Sequence, residues 1–449
     1  MQIKNTLAVA AMAGAAVAAD ANNSTLIAAT AAPSSVASAC SFDKFTATAT
    51  AQIQQVAACA TAVGDITIQG SDLNQVDLTG VHAIFGSVNI NNVPQINQIL
   101  APDLQTVSKD FEVVNATVLK EINLAQLTTV GSLSLKALSQ LDKLELTTGL
   151  TSADSVVIAD TGLSSLEGID VYELKNFDVN NNPNIEKIKS DLKSVTGLLS
   201  ISYNSQDVDV ALDQLTSVAD LNLQAIKSFS AKNLTSVNGT LSLIGTSVKD
   251  FELNNVESIQ KSLAINENSD LTQLNFTKLN QIGGALTIGD NDKLKSFDSF
   301  PKLTQIGGSV NLTGSFDKGD FPELKRVAGG FELDSDGDLT CDAFQKLNSN
   351  SVIKGDEFKC KAKQEETSSS SSKAGNSSGL ATSSSTGDRA AEETSSSSSS
   401  GSGSDSKSSS SGSGSAKSSG SSSKSGASGV SGKSALFAAL FVAVGAALF

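Results

Sequence analysis

The sequence has few of the side chains that enzymes and nucleic-acid-binding proteins usually require. It contains no Trp, one His and two Tyr, and its net charge is −15. Histidine is the commonest general base in enzymes, and this chain has only one. The lack of Trp removes the largest aromatic ring available for stacking. The acidic balance argues against a phosphate-binding surface, because such surfaces need clustered Lys and Arg.

Large apolar side chains are nearly missing from residues 367–434, where half of the 68 positions are Ser. Such a segment cannot bury enough apolar surface to offset the entropy that folding removes. We therefore predict a disordered, O-glycosylated stalk over 367–434.

The first nineteen residues have the pattern of a secretory signal. Lys4 precedes an apolar run over 7–17, and small residues follow it. A short apolar core followed by small residues is what signal peptidase cleaves, so we predict a signal peptide over 1–19. Cleavage after Ala18 and after Ala19 fit equally well, and the alternative is a buried Ala-rich helix.

The last fifteen residues, 435–449, are apolar throughout and follow a polar spacer with small residues. A membrane-spanning helix needs about twenty apolar residues. The pattern instead indicates a GPI-attachment signal over 427–449, with Gly426 as the attachment residue and Ser425 and Ser423 as alternatives. A single-pass tail anchor is the competing interpretation.

The four cysteines form two pairs, each spanning 19 positions: Cys40 with Cys59, and Cys341 with Cys360. An even number of cysteines in a secreted chain predicts disulfides. Three connectivities are possible, and we favour the two local ones because about 280 residues separate the pairs. Each closed loop would stabilise the fold by about 3 kcal/mol. A zinc site is the alternative, although neither pair has CxxC spacing.

Because secreted proteins can be N-glycosylated, the N-x-S/T sequons of this chain are candidate glycosylation sites. The predicted acceptors are Asn22, Asn23, Asn115, Asn233, Asn238, Asn275, Asn311 and Asn376. Several sequons together suit a secreted glycoprotein.

Thirteen short strands of apolar-x-apolar pattern, which we call leading strands, recur along the middle of the chain. They begin at Ile66, Val88, Phe111, Leu133, Val156, Phe177, Leu199, Leu221, Leu241, Leu263, Leu286, Val310 and Phe331. All twelve intervals are 20 to 24 residues long, a regularity that chance would not maintain.

Each repeat has two further short apolar segments, one near its middle, as at 122–124, and one that closes it, as at 127–130. Three such segments in about 22 residues leave no room for an ordinary helix. The period predicts an all-β solenoid in which only stacking of the coils buries the apolar faces. Thirteen coils at about 4.8 Å each would extend roughly 60 Å.

The exposed ends of a coil stack require caps, because unpaired strand edges invite aggregation. The cysteine pairs lie just outside the first and last coils, and 42–63 is suited to a short capping helix.

The predicted organisation is a signal peptide over 1–19, an N-terminal segment and cap over 20–63, a solenoid of about 13 coils over 64–338, a C-terminal cap over 339–366, the stalk over 367–434 and the attachment propeptide over 427–449.

The central residue of each leading strand should face outward, and we call this column the outward ladder. It comprises Thr67, Asn89, Glu112, Ser134, Val157, Asp178, Ser200, Asn222, Ser242, Ala264, Thr287, Asn311 and Glu332. It contains neither aromatic rings nor Arg, which are the usual anchors of strong interfaces.

A polysaccharide-cleaving β-helix enzyme would need two carboxylates about 5–9 Å apart. The outward ladder never places two carboxylates on adjacent coils. The Asp-rich stretch 334–338 resembles a calcium loop, but Leu339 occupies the position where an EF-hand requires Gly. His82 has no nucleophile pattern around it. We therefore predict no catalytic, cofactor-binding or metal-binding residues.

The order of these segments, together with the L-x-x-[VI]-x-G closures at 279–284 and 303–308, resembles the fungal GPI-anchored cell-wall organisation proteins. That family includes extracellular-mutant and sporulation-specific wall proteins. The resemblance implies an ectodomain of right-handed parallel β-helix or receptor L-domain-like, leucine-rich coils with disulfide caps. It also implies a non-catalytic mannoprotein of the plasma membrane outer leaflet and the wall, with transfer of the GPI remnant to β-1,6-glucan.

We therefore predict a non-enzymatic surface glycoprotein that is required for wall organisation and integrity. It would be held to the membrane by a GPI lipid, would need no cofactor and would bind no nucleic acid. Two alternatives remain open at this point: an adhesin or receptor that binds wall glycans or proteins, and a polysaccharide-modifying enzyme.

Overall fold

The computed structural model of the protein describes residues 32–206 and 208–362. Several predictions concern residues outside this part of the chain: the signal peptide 1–19, the stalk 367–434, the propeptide 427–449, and the sites Asn22, Asn23, Asn376 and Gly426.

Short strands dominate the described residues. In chain order they are β1 (Ser41–Ala47), β2 (Thr61–Ile68), β3 (Gln75–Asp77), β4 (Ala83–Phe85), β5 (Val88–Asn91), β6 (Gln98–Leu100), β7 (Thr106–Val114), β8 (Glu121–Asn123), β9 (Thr129–Leu138), β10 (Lys143–Glu145), β11 (Ser152–Thr161), β12 (Glu173–Leu174), β13 (Asn176–Asn180), β14 (Lys187–Lys189), β15 (Ser194–Ser202), β16 (Asp209–Ala211), β17 (Ser217–Gln224), β18 (Ser228–Ser230), β19 (Ser236–Val237), β20 (Leu241–Ile244), β21 (Asp250–Glu252), β22 (Ser258–Ile259), β23 (Leu263–Asn266), β24 (Gln273–Asn275), β25 (Gln281–Ile282), β26 (Leu286–Gly289), β27 (Gln305–Ile306), β28 (Val310–Gly314), β29 (Arg326–Val327), β30 (Phe331–Ser335) and β31 (Phe358–Ala362).

Three short helices accompany the strands: a 3₁₀ turn (Ser38–Cys40), α1 (Thr50–Ala57) and α2 (Asp342–Ser349). In the part of the chain that the structure describes, no helix has the length and apolar character needed to cross a bilayer.

The strands stack in parallel, one coil on the next, which confirms the predicted β-solenoid of about thirteen coils. All thirteen leading strands lie in one 22-stranded sheet and are contained in β2, β5, β7, β9, β11, β13, β15, β17, β20, β23, β26, β28 and β30. The mid-coil strands form three smaller sheets, namely β3-β6-β8-β10, β14-β16-β18 and β21-β24.

Apolar burial follows the alternation of each leading strand. In β23, Leu263 and Ile265 are completely buried, whereas Ala264 between them is partly exposed. Because side chains of a strand point alternately to opposite faces, the first and third positions fill the interior of the coil. One coil cannot enclose these side chains alone, so neighbouring coils bury them together.

Buried phenylalanines continue from coil to coil in the C-terminal half. Ring centroids are 5.9 Å apart for Phe229 and Phe251, 6.1 Å for Phe251 and Phe276, and 5.5 Å for Phe276 and Phe300. These separations are typical of favourable aromatic pairs. The stacked rings add a specific contact between successive coils beyond simple apolar burial.

Two series of buried polar side chains, which we call the asparagine ladders, also join successive coils. In one, Thr161 donates its hydroxyl to Asn182 Oδ1 at 2.6 Å, and Asn182 Nδ2 donates to Asn204 Oδ1 at 2.9 Å. In the other, Thr246 donates to Asn268 Oδ1 at 2.7 Å, and Asn268 Nδ2 donates to Asn291 at 3.0 Å. Each amide therefore satisfies buried polar groups on the coils beside it.

Ten consecutive coils turn at the same corner, immediately after the leading strand, through one residue with φ between 50° and 62°. These residues are Asn92, Asn115, Ala137, Asp160, Asn181, Tyr203, Ala225, Gly245, Glu267 and Asp290. The left-handed conformation costs an L-residue other than Gly or Asn about 1–2 kcal/mol. Repetition at one corner shows that coil stacking imposes this conformation.

The closing segments approach each other so closely that a side chain would clash. A Cβ on Gly283 would lie 2.0 Å from the carbonyl oxygen of Gln260, and a Cβ on Gly307 would lie 2.1 Å from that of Gly283. Only glycine fits where two backbones come this close. This contact explains the Gly-Gly pairs that follow two of the closures.

The N-terminal cap contains the predicted helix and also a strand that was not predicted. Helix α1 buries Ile53 and Val56 beneath the first coil. Strand β1 pairs in parallel with β2 and so extends the main sheet by one rung. The Cys40–Cys59 disulfide, with Cα atoms 5.7 Å apart, ties β1 to the end of α1.

The C-terminal cap repeats this design. Helix α2 inserts the fully buried Phe344, whose ring lies 5.4 Å from that of Phe331 on the last leading strand. Strand β31 pairs in parallel with β30, and the Cys341–Cys360 disulfide joins the start of α2 to β31. Both local disulfides predicted from the cysteine spacing are thus confirmed.

We predict that Leu263→Asp unfolds the coils around β23. An isolated carboxylate at this fully buried position has no partner, and the expected loss of stability is about 5 kcal/mol or more. The matched control is Ala264→Asp, because the adjacent side chain faces outward. Thermal unfolding followed by circular dichroism, together with trypsin susceptibility, should distinguish the two variants. A native spectrum and trypsin resistance for Leu263→Asp would refute the register.

We also predict that Asn268→Ala destabilises the fold by about 2–5 kcal/mol, because the backbone N–H of Thr246 and the carbonyl of Leu243 lose buried partners. Asn266→Ala is the control on the same coil, with a partly exposed side chain. Denaturant unfolding of both variants measures the difference. Equal stability of the two would show that the asparagine ladder contributes nothing.

Candidate functional site

The outward ladder is aligned along the whole coil stack. Each of its thirteen members pairs in register with the next, from Thr67 opposite Asn89 to Asn311 opposite Glu332. Ser134, Ser200 and Ser242 are buried to 6%, 6% and 4% exposure because they are short side chains between neighbouring rungs. The other ladder side chains are half-buried or exposed. The candidate site is therefore a continuous sheet face that is polar except at Val157 and Ala264.

Carboxylates on this face are engaged by neighbouring side chains. Glu112 accepts hydrogen bonds from Asn89 at 2.8 Å and Ser134 at 3.4 Å, and it forms an ion pair with Lys136 at 3.4 Å. Asp178 accepts a hydrogen bond from Asn180 at 3.0 Å. In this arrangement both carboxylates stabilise the face of the sheet.

Where a carboxyl pKa departs from its ordinary value in residues 32–206 and 208–362, it is lowered. The backbone N–H of Ser87 and the Lys109 ammonium lower the pKa of Asp65. Lys143 lowers the pKa of Glu121 through a hydrogen bond of 2.7 Å. Lysine hydrogen bonds likewise lower the pKa of Asp213, Asp270 and Glu357. Glycoside cleavage uses a general acid whose pKa is raised, which is the opposite shift.

The Asp-rich stretch 334–338 is tied to the adjacent coils. Asp334 pairs with Lys361 at 3.3 Å, and the buried Ser335 hydroxyl accepts the N–H of Phe316 at 3.0 Å. The N–H of Asp338 donates to Asp317 at 3.2 Å. Among the described residues, no group of three or more His, Cys, Asp or Glu side chains is arranged to hold a metal ion.

His82 lies on a coil corner with an exposed side chain. Its backbone N–H donates to Ala60 at 2.8 Å, and its carbonyl accepts from Gln105 at 2.8 Å. The residue thus joins three successive coils through its main chain.

The sequons within the described residues are distributed around the coil. Asn115, Asn233 and Asn238 are exposed, whereas Asn275 and Asn311 are half-buried on strands β24 and β28. Asn115 occupies the left-handed corner, where its side chain projects from the turn. No N-glycosylation sequon occurs between 116 and 232.

Sequence reasoning missed the aromatic residues of this surface. Tyr172 and Tyr203 are the only tyrosines of the chain, and they are 49% and 60% exposed. Both lie beside β15, one near each end of that strand, and therefore outside the outward ladder. The sequence signal that could have identified them is their rarity, because the chain contains two tyrosines and eighteen phenylalanines.

Several known fungal proteins are similar to this chain. A protein named ecm33 from Aspergillus fumigatus is 30% identical over 68% of this chain and 76% of its own length. The cell surface GPI-anchored protein ECM33 of Candida albicans is 35% identical over 74% of this chain and 81% of its own. The cell wall protein ecm33 of Schizosaccharomyces pombe is 32% identical over 75% and 80%.

No protein-family model and no solved structure matches the chain. The relatives nevertheless cover more than two thirds of the chain, and the resemblance to this family is confirmed. The chain belongs to the Ecm33 family of fungal GPI-anchored cell-surface and cell-wall proteins.

Proposed function

We propose that this protein is a non-catalytic surface glycoprotein that is required for the organisation and integrity of the fungal cell wall. Its family places it at the cell surface and in the wall. The observation that carries the proposal is the mainly polar face of the outward ladder, on which neighbouring amides, hydroxyls and lysines engage the carboxylates Glu112 and Asp178.

The electrostatics of the solenoid support a role without catalysis. The ion pair of Lys143 with Glu121, at 2.7 Å, connects adjacent coils, and Lys143 also pairs with Glu145 of its own strand at 2.5 Å. The same pairing raises the pKa of Lys143 and lowers that of Glu121, so both groups keep their charges near neutral pH. These groups contribute to a solvated, charged surface rather than to proton transfer.

Attachment to the membrane is a property of the family, whose members include GPI-anchored cell surface proteins. Gly426 is the attachment residue in our proposal, with 427–449 removed. We further propose that the GPI remnant is transferred to wall β-1,6-glucan. The residues just before Gly426 contain no pair of basic side chains, which supports transfer to the wall over retention in the membrane.

In the proposed arrangement the Ser-rich stretch 367–434 is an O-glycosylated spacer between the anchor and the solenoid. N-glycans on exposed acceptors such as Asn115, Asn233 and Asn238 would add to the hydrated surface. The protein would then act in the wall as a folded, heavily hydrated component, and not through turnover of a substrate.

Deletion of the gene tests the proposal. We expect cells without the protein to become sensitive to wall-binding dyes and to osmotic stress, because wall assembly depends on it. Growth on dye-containing and osmotically stressed media measures this sensitivity, and chemical analysis of the wall polymers accompanies it.

The full chain should restore resistance, whereas a chain that ends at residue 434 should be released into the medium and should restore little. A double variant, Glu112→Gln with Asp178→Asn, should also restore resistance, because it preserves hydrogen bonding without a catalytic carboxylate. Normal wall composition and dye resistance in the deletion strain would contradict the role in the wall. Loss of function in the double variant alone would contradict the non-catalytic interpretation.

A further inference from the structure

Tyr203 is the one aromatic residue among the ten left-handed corner residues, and its side chain is 60% exposed. Its φ of 50° is shared with the equivalent corners of the adjacent coils, which carry Asn181 and Ala225, because coil stacking imposes this conformation. Tyr203 is therefore distinguished by its exposed ring and not by its backbone. An exposed aromatic ring beside polar side chains is a surface on which a ligand can stack.

Strand β15, which ends immediately before Tyr203, forms the floor of a shallow trough. Its outward residues Ser200 and Ser202 are 6% and 8% exposed. The paired residues on β13 are Asp178 and Asn180, and those on β17 are Asn222 and Gln224. Short hydroxyl side chains thus lie between two rows of longer polar side chains, and we call this surface the β15 trough.

The polar groups of the β15 trough retain hydrogen-bonding capacity. Asn222 donates to Ser200 at 3.4 Å, Gln224 donates to Asn222 at 3.1 Å, and Asn180 donates to Asp178 at 3.0 Å. A primary amide offers two donors and two acceptor lone pairs, so these bonds use only part of what the amides provide. The rest faces solvent in a suitable position to bind hydroxyl groups.

The second tyrosine lies beside the start of β15, whereas the trough residues Ser200 and Ser202 lie at its end. The carbonyl of Tyr172 accepts the N–H of Lys193 at 2.7 Å, which places Tyr172 beside the start of β15 on the preceding coil. The Lys193 ammonium lies 4.8 Å from the centre of the Tyr172 ring, so a cation already occupies one face of that ring. Tyr203 is therefore the more available stacking surface.

The β15 trough carries little charge. Among the six residues that form its floor and walls, Asp178 alone is charged, although the whole chain carries −15. None of the six is an N-glycosylation acceptor. The exposed acceptor Asn238 lies on the next rung, where its backbone N–H donates to Val218 of β17 at 2.8 Å, so binding is tested on protein freed of N-glycans.

We propose that the β15 trough binds an uncharged hexose polymer, with Tyr203 stacking on a sugar ring and the amides and serines binding its hydroxyls. A nearly neutral face matches a neutral polysaccharide, and Ser200 and Ser202 lie about 7 Å apart along β15, so the trough would bind a short segment of the polymer. The inference rests on the proposed wall function and assigns it a ligand. Neutral glucans and mannans share this chemistry, and the test separates them.

The test uses the full chain, solubilised with detergent from the membrane fraction and freed of N-glycans by endoglycosidase. Particles of β-1,3-glucan, β-1,6-glucan and mannan are titrated separately, and the bound fraction is measured. We expect saturable binding to one of them that a soluble oligosaccharide of the same linkage competes away. Tyr203→Asn should weaken that binding about five- to tenfold, as expected for the loss of one stacked ring.

Matched variants separate stacking from folding. Tyr203→Asn should unfold at the same or a higher temperature than the parent, because Asn tolerates the left-handed corner. Tyr203→Phe keeps the ring and should bind normally, and Ala225→Gly relieves the same strain on the next coil without changing binding. Val118→Ala removes an exposed apolar side chain on an earlier coil, outside the trough, and should also leave binding unchanged.

Three results would overturn the proposal: no saturable binding to any of the three polymers, undiminished binding by Tyr203→Asn, or an equal loss in Val118→Ala. None of them bears on the dye sensitivity of the deletion strain. The wall function can therefore stand if the ligand assignment fails. Conversely, polysaccharide binding without a wall phenotype would contradict the wall function alone.

Discussion

Parallel hydrogen bonding between successive coils, in unbroken register along the outward ladder, is the constraint on which the rest of the structure depends. A coil of about 22 residues cannot enclose its own apolar side chains, so each coil is stable only against its neighbours. The consequences are visible at every level: Leu263 is buried by adjacent coils, Gly283 is required by backbone contact, and Asn268 is satisfied by groups one coil away. Both ends need caps, which the two disulfides hold in place.

Features that recur in every coil could be predicted from the sequence, because the buried positions of each repeat carry apolar residues. The thirteen leading strands, the outward ladder and the local disulfides are of this kind. The features that depend on contact between coils could not be predicted. Asn182 belongs to a residue type that is common in turns. Its side chain is nevertheless buried, because Thr161 and Asn204 lie on the coils on either side of it. Tyr203 was missed because the exposure of its ring depends on its place on the folded coil and has no counterpart in the repeat pattern.

The same constraint explains why the surface is suited to binding rather than to catalysis. Register places the outward side chains at regular intervals, so that a carboxylate such as Glu112 has polar neighbours on the adjacent coils. Catalysis usually needs a few dissimilar groups that converge, with pKa values moved in opposite directions. A regular polar face is better matched to a repetitive polymer, and its family places this protein among the polymers of the wall.

Paired-cysteine crosslinking tests the register most directly. Ala264 and Thr287 lie opposite each other on adjacent coils, so Ala264→Cys with Thr287→Cys places the Cα atoms of two cysteines about 4.8 Å apart, within the Cα–Cα range of a disulfide. Mass spectrometry of non-reduced peptides should show this crosslink after mild oxidation. Ala264→Cys with Asn311→Cys, two coils apart, should not crosslink. The account would be contradicted if the second pair linked as readily as the first, or if the first did not link.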